Sequence, residues 1–190
     1  GEKIAQVELS IPGMHNVYNS LSAFALATCY GVATEAIVKG IKNFTGTDRR
    51  FQFKGQFNGV NVIDDYAHHP TEIQATINSA RGTKLNKLWI MFQPHTYTRT
   101  YNHLDDFAKV LSEADHVILL DIYASREKDT GLVSSKDLRD KIEALGGVVT
   151  YCPTFNDAEK YAVDNCRKGD MLITMGAGDV YKIGEKLVSK

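Results

Sequence analysis

Four short apolar runs, Leu88–Phe92, Val117–Leu120, Val148–Tyr151 and Met171–Met175, alternate with stretches of helical spacing. The helical stretches lie near Thr71–Ala80, Asn102–Glu113, Ser135–Leu145, Asn156–Cys166 and Val180–Val188. This alternation is the strongest constraint on the fold. Strands separated by helical connections pair in parallel, and such a sheet needs helices on both faces. Ahead of them, Phe51–Phe57 and Val60–Ile63 flank Asn58-Gly59, a dipeptide suited to the positive φ angles of a two-residue hairpin. The expectation is an α/β domain with a mostly parallel sheet and one antiparallel strand from the opening hairpin. Ligands of such sheets bind beyond the carboxyl ends of the strands.

The first residues follow another rhythm. Positions 4–9 alternate weakly, like an edge strand, until Ile11-Pro12-Gly13 breaks the pattern. Val17, Leu21, Phe24, Ala25 and Thr28 then fall on one helical face between His15 and Tyr30, with Gly31 as a C-terminal stop. A second helix is expected over Thr34–Asn43 with Thr34 as its cap, and the polar turn Thr45-Gly46-Thr47-Asp48 marks a boundary. The expected division is residues 1–46 and 47–190.

Composition excludes several functions. A chain of 190 residues, 43% apolar and 24% charged, with net charge −1, has material for a good core and no general basic field for nucleic acid. No apolar run approaches the roughly 18 residues needed to span a membrane. Cys29, Cys152 and Cys166 show neither a disulfide framework nor a zinc spacing, and the opening Gly-Glu-Lys does not read as a signal peptide. A reducing, cytoplasmic setting is expected, with no nucleic-acid or membrane partner.

Several polar clusters could carry chemistry. His15, Asn16 and Asn19 open the first helix near one face, where amide and imidazole groups could meet a purine; alternatively one Asn caps the helix and His15 is surface. Arg49-Arg50-Phe51 follows the boundary, where a guanidinium could stabilise phosphoryl charge or simply be solvated. Asp64-Asp65-Tyr66-Ala67-His68-His69-Pro70 concentrates carboxylates, a phenol and imidazoles at a strand-to-helix turn. Neighbouring histidines point apart and no further ligands follow at suitable spacing, so no metal ligands are assigned. Phe92-Gln93-Pro94-His95-Thr96-Tyr97-Thr98-Arg99 places His95 and Arg99 after a strand; Arg99 could clamp a carboxylate or pair with Asp105 or Asp106. The loop Asp121–Lys128 adds Arg126 to the same rim. Gly176-Ala177-Gly178-Asp179 permits a tight turn, but Tyr181 stands where a dinucleotide fingerprint needs its third glycine. No Gly-Lys dipeptide occurs, so the chain has no phosphate-binding P-loop of that kind.

In this order and spacing, Gly13–Asn19, Arg49–Phe51, Asp64–Pro70, Phe92–Arg99 and Gly176–Asp179 resemble the Mur ligase family across essentially the whole chain. The D-D-Y-A-H-H-P and F-Q-P-H-T-Y-T-R strings look like its L-alanine-adding branch. The resemblance implies a three-domain, ATP-dependent amide-forming ligase of peptidoglycan synthesis. Residues 1–46 would end its central ATP-binding domain and 47–190 would form a Rossmann-like C-terminal domain, the N-terminal and remaining central domains preceding residue 1. Its implied ligands are ATP, UDP-N-acetylmuramate and L-alanine, with Mg²⁺ held by residues upstream. Position by position it implies His15, Asn16, Asn19, Arg50 and Asp65 on the nucleotide, with Arg50 and His68 catalytic. Tyr66, His68, His95, Arg99 and Arg126 would meet the amino acid and the muramate carboxylate, Arg126 standing in for an arginine that some members carry where this chain has Thr96. Two other readings are a related ligase that reattaches recycled peptides, and a non-catalytic α/β nucleotide- or partner-binding module.

Overall fold

A computed structural model describes residues 3–189. The chain divides into two compact units, Gly1–Asp48 and Arg49–Lys190. The first holds helices α1 (Met14–Cys29) and α2 (Thr34–Asn43). Gly13, with φ 104°, caps the start of α1. At its end Gly31 takes φ 74°, its N–H donates to the Thr28 carbonyl, and that of Val32 donates to the Ala27 carbonyl. These two bonds satisfy carbonyls that an ending helix leaves bare.

Two expectations fail in this unit. Thr34 is the first helical residue rather than the cap: Ala33 holds the cap position, and no side chain accepts a bond there. Glu35 in the first turn and Lys42 in the last complement the helix dipole instead. Residues 4–9 form no strand, because a strand needs a neighbour to pair with and the described part of this unit offers only helices. The segment is tied by side chains, Glu8 to Lys42 at 2.7 Å and Ser10 Oγ to the Lys42 carbonyl at 2.7 Å.

The second unit runs β1 (Gln52–Phe57), β2 (Val60–Asp65), α3 (Pro70–Arg81), β3 (Leu88–Phe92), α4 (Tyr97–Asn102), α5 (Leu104–Leu111), β4 (His116–Leu119), α6 (Ser135–Ala144), β5 (Val149–Tyr151), α7 (Phe155–Asn165), β6 (Met171–Met175) and α8 (Tyr181–Val188). The sheet order is β1-β2-β6-β3-β4-β5, with only β1 antiparallel. The hairpin pairs Phe57 with Val60 across Asn58 (φ 50°) and Gly59 (φ 78°), the backbone the Asn-Gly pair allows.

The period of two along each strand divides the core. Leu88, Ile90 and Phe92 join Ile73, Ile77, Phe107, Leu111, Leu138 and Ile142 on one face. Trp89 and Met91 join Ala158, Ala162, Ile183 and Leu187 on the other. Both faces are thus roofed by helices, which is why β3 and β6 are buried at every position.

The helix expected near 102–113 forms as α5, and an unexpected helix, α4, precedes it. This one begins at Tyr97, capped by Thr96, and the chain breaks at His103 (φ −118°, ψ 22°) before α5. The residues of α4 are Tyr-Thr-Arg-Thr-Tyr-Asn, whose poor intrinsic helix propensity concealed it.

Candidate active site at the carboxyl edge of the sheet

β6 lies between β2 and β3, and β4 is the next strand beyond β3, so four loops meet along one edge. They are 66–69 after β2, 93–96 after β3, 120–127 after β4 and 176–180 after β6. Because β1 is antiparallel and Gln52 pairs with Asp64, the Arg49–Phe51 turn reaches the same edge. Non-glycine residues with positive φ gather here: Arg49 at 59°, Phe51 at 47°, Thr96 at 66° and Ser125 at 55°. Such backbone costs about 1–3 kcal/mol per residue and persists only where surrounding contacts hold it.

Histidine and aromatic rings line the edge in file. The Tyr66 and His68 ring centroids are 5.3 Å apart, those of His68 and His95 5.9 Å, and Tyr123 stacks on His95 at 5.6 Å. The Arg99 guanidinium donates to His95 Nδ1 at 2.9 Å. That bond assigns the His95 proton to Nε2, leaving Nε2–H as a donor. Burial, then the nearby charges of Arg99 and His68, hold the His95 imidazole below the usual histidine range. His68 Nδ1 lies 2.9 Å from the Tyr66 carbonyl and donates to it, so in the neutral ring Nε2 is the nitrogen with the lone pair. One imidazole therefore offers a donor and its neighbour an acceptor.

The turn after β2 is braced from below. His69 caps α3 by accepting from the Thr71 N–H, Pro70 occupies the first turn, and Glu72 accepts from the His68 and His69 amides at 3.0 and 3.2 Å. Burial alone would raise the Glu72 carboxyl, but the His68 amide, the charges of His68 and Arg50 and the His69 amide outweigh it, and its pKa is lowered. Asp65 is 5% exposed, and its oxygens accept from Ala67 N at 2.8 Å, Phe51 N at 3.0 Å and Thr76 Oγ1 at 3.0 Å. Burial raises its pKa above the usual value against those opposing bonds and the Arg50 charge. The resemblance puts Asp65 on the nucleotide; in the structure its carboxylate braces the loop through these three bonds.

The two arginines part company. Arg49 is turned in, ion-paired to buried Asp64 at 3.0 Å, whereas Arg50 is exposed, with NH1 3.7 Å from Glu72 Oε1 and its guanidinium 5.7 Å from the Tyr66 ring centroid. Arg99 is half-buried on α4 and pairs with His95 rather than with Asp105, which binds Lys141, or Asp106, which meets His103. Arg126 is exposed in a loop that Glu127 fastens to α4 by accepting from Thr98 N at 2.9 Å. The structure thus gathers Arg50, Tyr66, His68, His95 and Arg99 on one edge, with Arg126 in a loop of the same edge.

His15, Asn16 and Asn19 belong to the first unit and open α1. Asn16 Nδ2 donates to the Pro12 carbonyl at 2.7 Å and Asn19 Nδ2 to Asn16 Oδ1 at 3.3 Å; His15 and Asn19 are exposed. Neither Asn is the cap, a place Gly13 holds.

Sequence reasoning did not single out Tyr123, Glu127 or Gln93, and did not separate Arg49 from Arg50. Gln93 is 7% exposed and its Oε1 is buried without a hydrogen-bond partner, against Gly178, where a Cβ would come within 2.6 Å. The glycine pair 176/178 was the only available signal, since it implies a close approach by something unseen. Among the described residues no three His, Cys, Asp or Glu side chains gather as a metal site, and no helix is long and apolar enough to cross a membrane.

The Mur ligase, glutamate ligase domain family matches residues 49–178, and the chain belongs to the Mur ligase family. It is similar to the UDP-N-acetylmuramate–L-alanine ligase of Lachnospira eligens, with 55% identity over 99% of this chain and 41% of that protein. Among solved structures it resembles the UDP-N-acetylmuramate-alanine ligase MurC of Thermotoga maritima, with TM-score 0.82 and 28% identity over 100% of this chain and 40% of the other. A murein peptide ligase of Psychrobacter arcticus is also similar, with TM-score 0.71 and 28% identity over 97% of this chain and 38% of that one. The chain therefore spans 41% of the length of the curated relative.

Proposed function

We propose that this chain is part of an ATP-dependent ligase that joins L-alanine to UDP-N-acetylmuramate during synthesis of a peptidoglycan precursor. The observation that carries the reading is the Arg99–His95–His68–Tyr66 file, supported by the 55% identity to the Lachnospira eligens L-alanine ligase. Residues 1–46 would close a central ATP-binding domain and 47–190 would form the C-terminal domain. α1 buries none of its own residues and exposes Met14, Tyr18, Leu21 and Leu26, as suits a helix belonging to a larger packed domain.

In this reading the muramate carboxylate becomes an acyl phosphate at the expense of ATP, and the alanine amine attacks it through a tetrahedral intermediate that expels phosphate. Arg50, exposed and only loosely paired, is the guanidinium able to turn to phosphoryl oxygens. His15, Asn16 and Asn19 are assigned to the purine. Asp65 acts on the nucleotide side by fixing the Phe51 amide next to Arg50. The remaining N–H groups of Arg99 and the His95 Nε2–H suit the alanine carboxylate, with Arg126 as a second cation because Thr96 serves as a helix cap. The incoming ammonium must lose a proton before attack, and the His68 Nε2 lone pair is the acceptor beside it. Tyr66 walls the site between Arg50 and His68. Mg²⁺ is expected with ATP, but the described residues gather no ligand set for it, and no step is assigned to it.

The test is ATP hydrolysis by the full-length form supplied with UDP-N-acetylmuramate. Turnover should require L-alanine, and Arg99→Ala should raise the KM for L-alanine by about 10- to 100-fold, the loss of a charge-assisted pair. Wild-type kinetics in that variant would remove Arg99 from the site. Turnover with an intact peptide in place of L-alanine would favour the recycling ligase, and no turnover at all the binding module.

A further inference from the structure

We propose that Arg49 is the positioning residue that sets Tyr66 and the glycine turn of the amino-acid half-site, leaving Arg50 free for phosphate. The inference rests on the ligase reading above for its kinetic consequence, but the geometry stands independently. The Arg49 side chain is 23% exposed, and its contacts reach several pieces of the edge. Nε binds Asp64 Oδ2 at 3.0 Å; Asp64 is 1% exposed, and its other oxygen accepts from Thr174 Oγ1 on β6 at 2.9 Å. The guanidinium NH2 donates to the Gly176 carbonyl at 2.7 Å and the Gly178 carbonyl at 3.2 Å. Its carbon lies 4.8 Å from the Tyr66 ring centroid and 4.6 Å from that of Tyr181 at the start of α8. The Arg49 carbonyl also accepts from Tyr66 N.

Only a planar fork can make these contacts together. Lysine would keep the charge opposite Asp64 but not the two carbonyls and two ring faces at once. The turn that Arg49 holds is itself a link. A Cβ on Gly178 would come within 3.0 Å of the Tyr123 ring, and that ring stacks on His95, which accepts from Arg99. Displacing the 176–178 turn therefore shifts Tyr123 and the imidazole that faces substrate. Arg50 shares only the Tyr66 ring, at 5.7 Å, and its ion pair with Glu72 is long, at 3.7 Å.

Arg49→Lys and Arg49→Gln are the test. In this chain, amide hydrogen exchange at 176–178 should speed up by about tenfold or more in both variants, the opening of a loop whose charge-assisted bonds are gone. If Arg49→Gln does not fold, Arg49→Lys alone decides. Unchanged exchange in a folded variant overturns the proposal. In the full-length ligase, Arg49→Lys should raise the KM for L-alanine about tenfold while the KM for ATP moves less than about twofold. Activity lost only in step with thermal stability, with both KM values intact, reduces Arg49 to a structural pair and also overturns it. A wild-type enzyme indifferent to L-alanine refutes the ligase reading instead, while the exchange result still judges the clamp.

Discussion

Replacing Gly176 with alanine tests the close approach on which the edge is built. Gly176 follows β6 with φ 144°, a conformation that side-chain-bearing residues rarely take, and a Cβ there would lie 2.6 Å from the Gln93 carbonyl oxygen. That oxygen is backbone, at the end of the buried strand β3, and has no rotamer by which to withdraw. Strained φ costs about 1–3 kcal/mol and forced overpacking about 1–3 kcal/mol; one backbone shift partly relieves both, so the sum is about 2–4 kcal/mol. For a domain of this size the thermal midpoint should fall by about 5–15 °C. Gly178→Ala is the comparison. Its Cβ would meet side chains only, Gln93 Oε1 at 2.6 Å and the Tyr123 ring at 3.0 Å, and no left-handed φ is imposed. It should lose less than about 2 kcal/mol, since side chains can give way, but should move Tyr123 off His95 and, in the full-length ligase proposed above, raise the KM for L-alanine. Thermal unfolding followed by circular dichroism reads both. A Gly176→Ala protein as stable as the Gly178→Ala protein would refute the reasoning, because the backbone contact would then be absent.

Two further outcomes follow from other parts of the chain. Gly40 sits inside α2, exposed, and a Cβ added there would meet nothing within 4 Å, so Gly40→Ala should stabilise the helical unit by about 0.5–1 kcal/mol; a lower unfolding midpoint would contradict that open space. Burial, with a smaller push from Lys87, holds the His116 imidazole below the usual histidine range, where it stacks on Trp89 and meets Thr150 and Tyr161. A folded pKa below the unfolded one means protonation favours unfolding. Stability is complete above about pH 6.5 and is lost as pH falls from there toward the lower folded value. His116→Phe should flatten the fall of the thermal midpoint in that window, and an unchanged slope would remove His116 as a cause.

The sheet was legible because its signals are local. Asn58-Gly59 fits one kind of hairpin, and the mostly apolar runs Leu88–Phe92 and Met171–Met175 fit strands covered on both faces; both strands have those bounds. Pro70 at the start of α3 was legible for the same reason. What failed was decided at longer range. Residues 4–9 have a strand rhythm but no strand beside them, and α4 forms from a hydroxyl-rich sequence because Thr96 caps it and the Glu127 carboxylate, from a loop after β4, accepts the Thr98 amide. Neither partner can be read from the local string.

The doublets Arg49-Arg50 and Asp64-Asp65 carry this limit into the site. Sequence reading treats each pair as two similar chances at a ligand, and the resemblance assigns the second member of each to the nucleotide. Folding separates them by geometry. Asp64 lies next to the last residue of β2, against Thr174, and so needs a buried cation, which Arg49, brought back by the antiparallel hairpin, supplies. A carboxylate that is 1% exposed is costly unless paired, so the burial of Asp64 commits Arg49 to it. In the proposed reading Arg50 is then the arginine of the pair left for a ligand. Asp65, one residue on, accepts from the Phe51 and Ala67 amides, and so fixes the turn that carries Arg50. Which member of such a doublet serves the ligand is settled by which neighbour the sheet buries, a fact of strand order that no local motif contains.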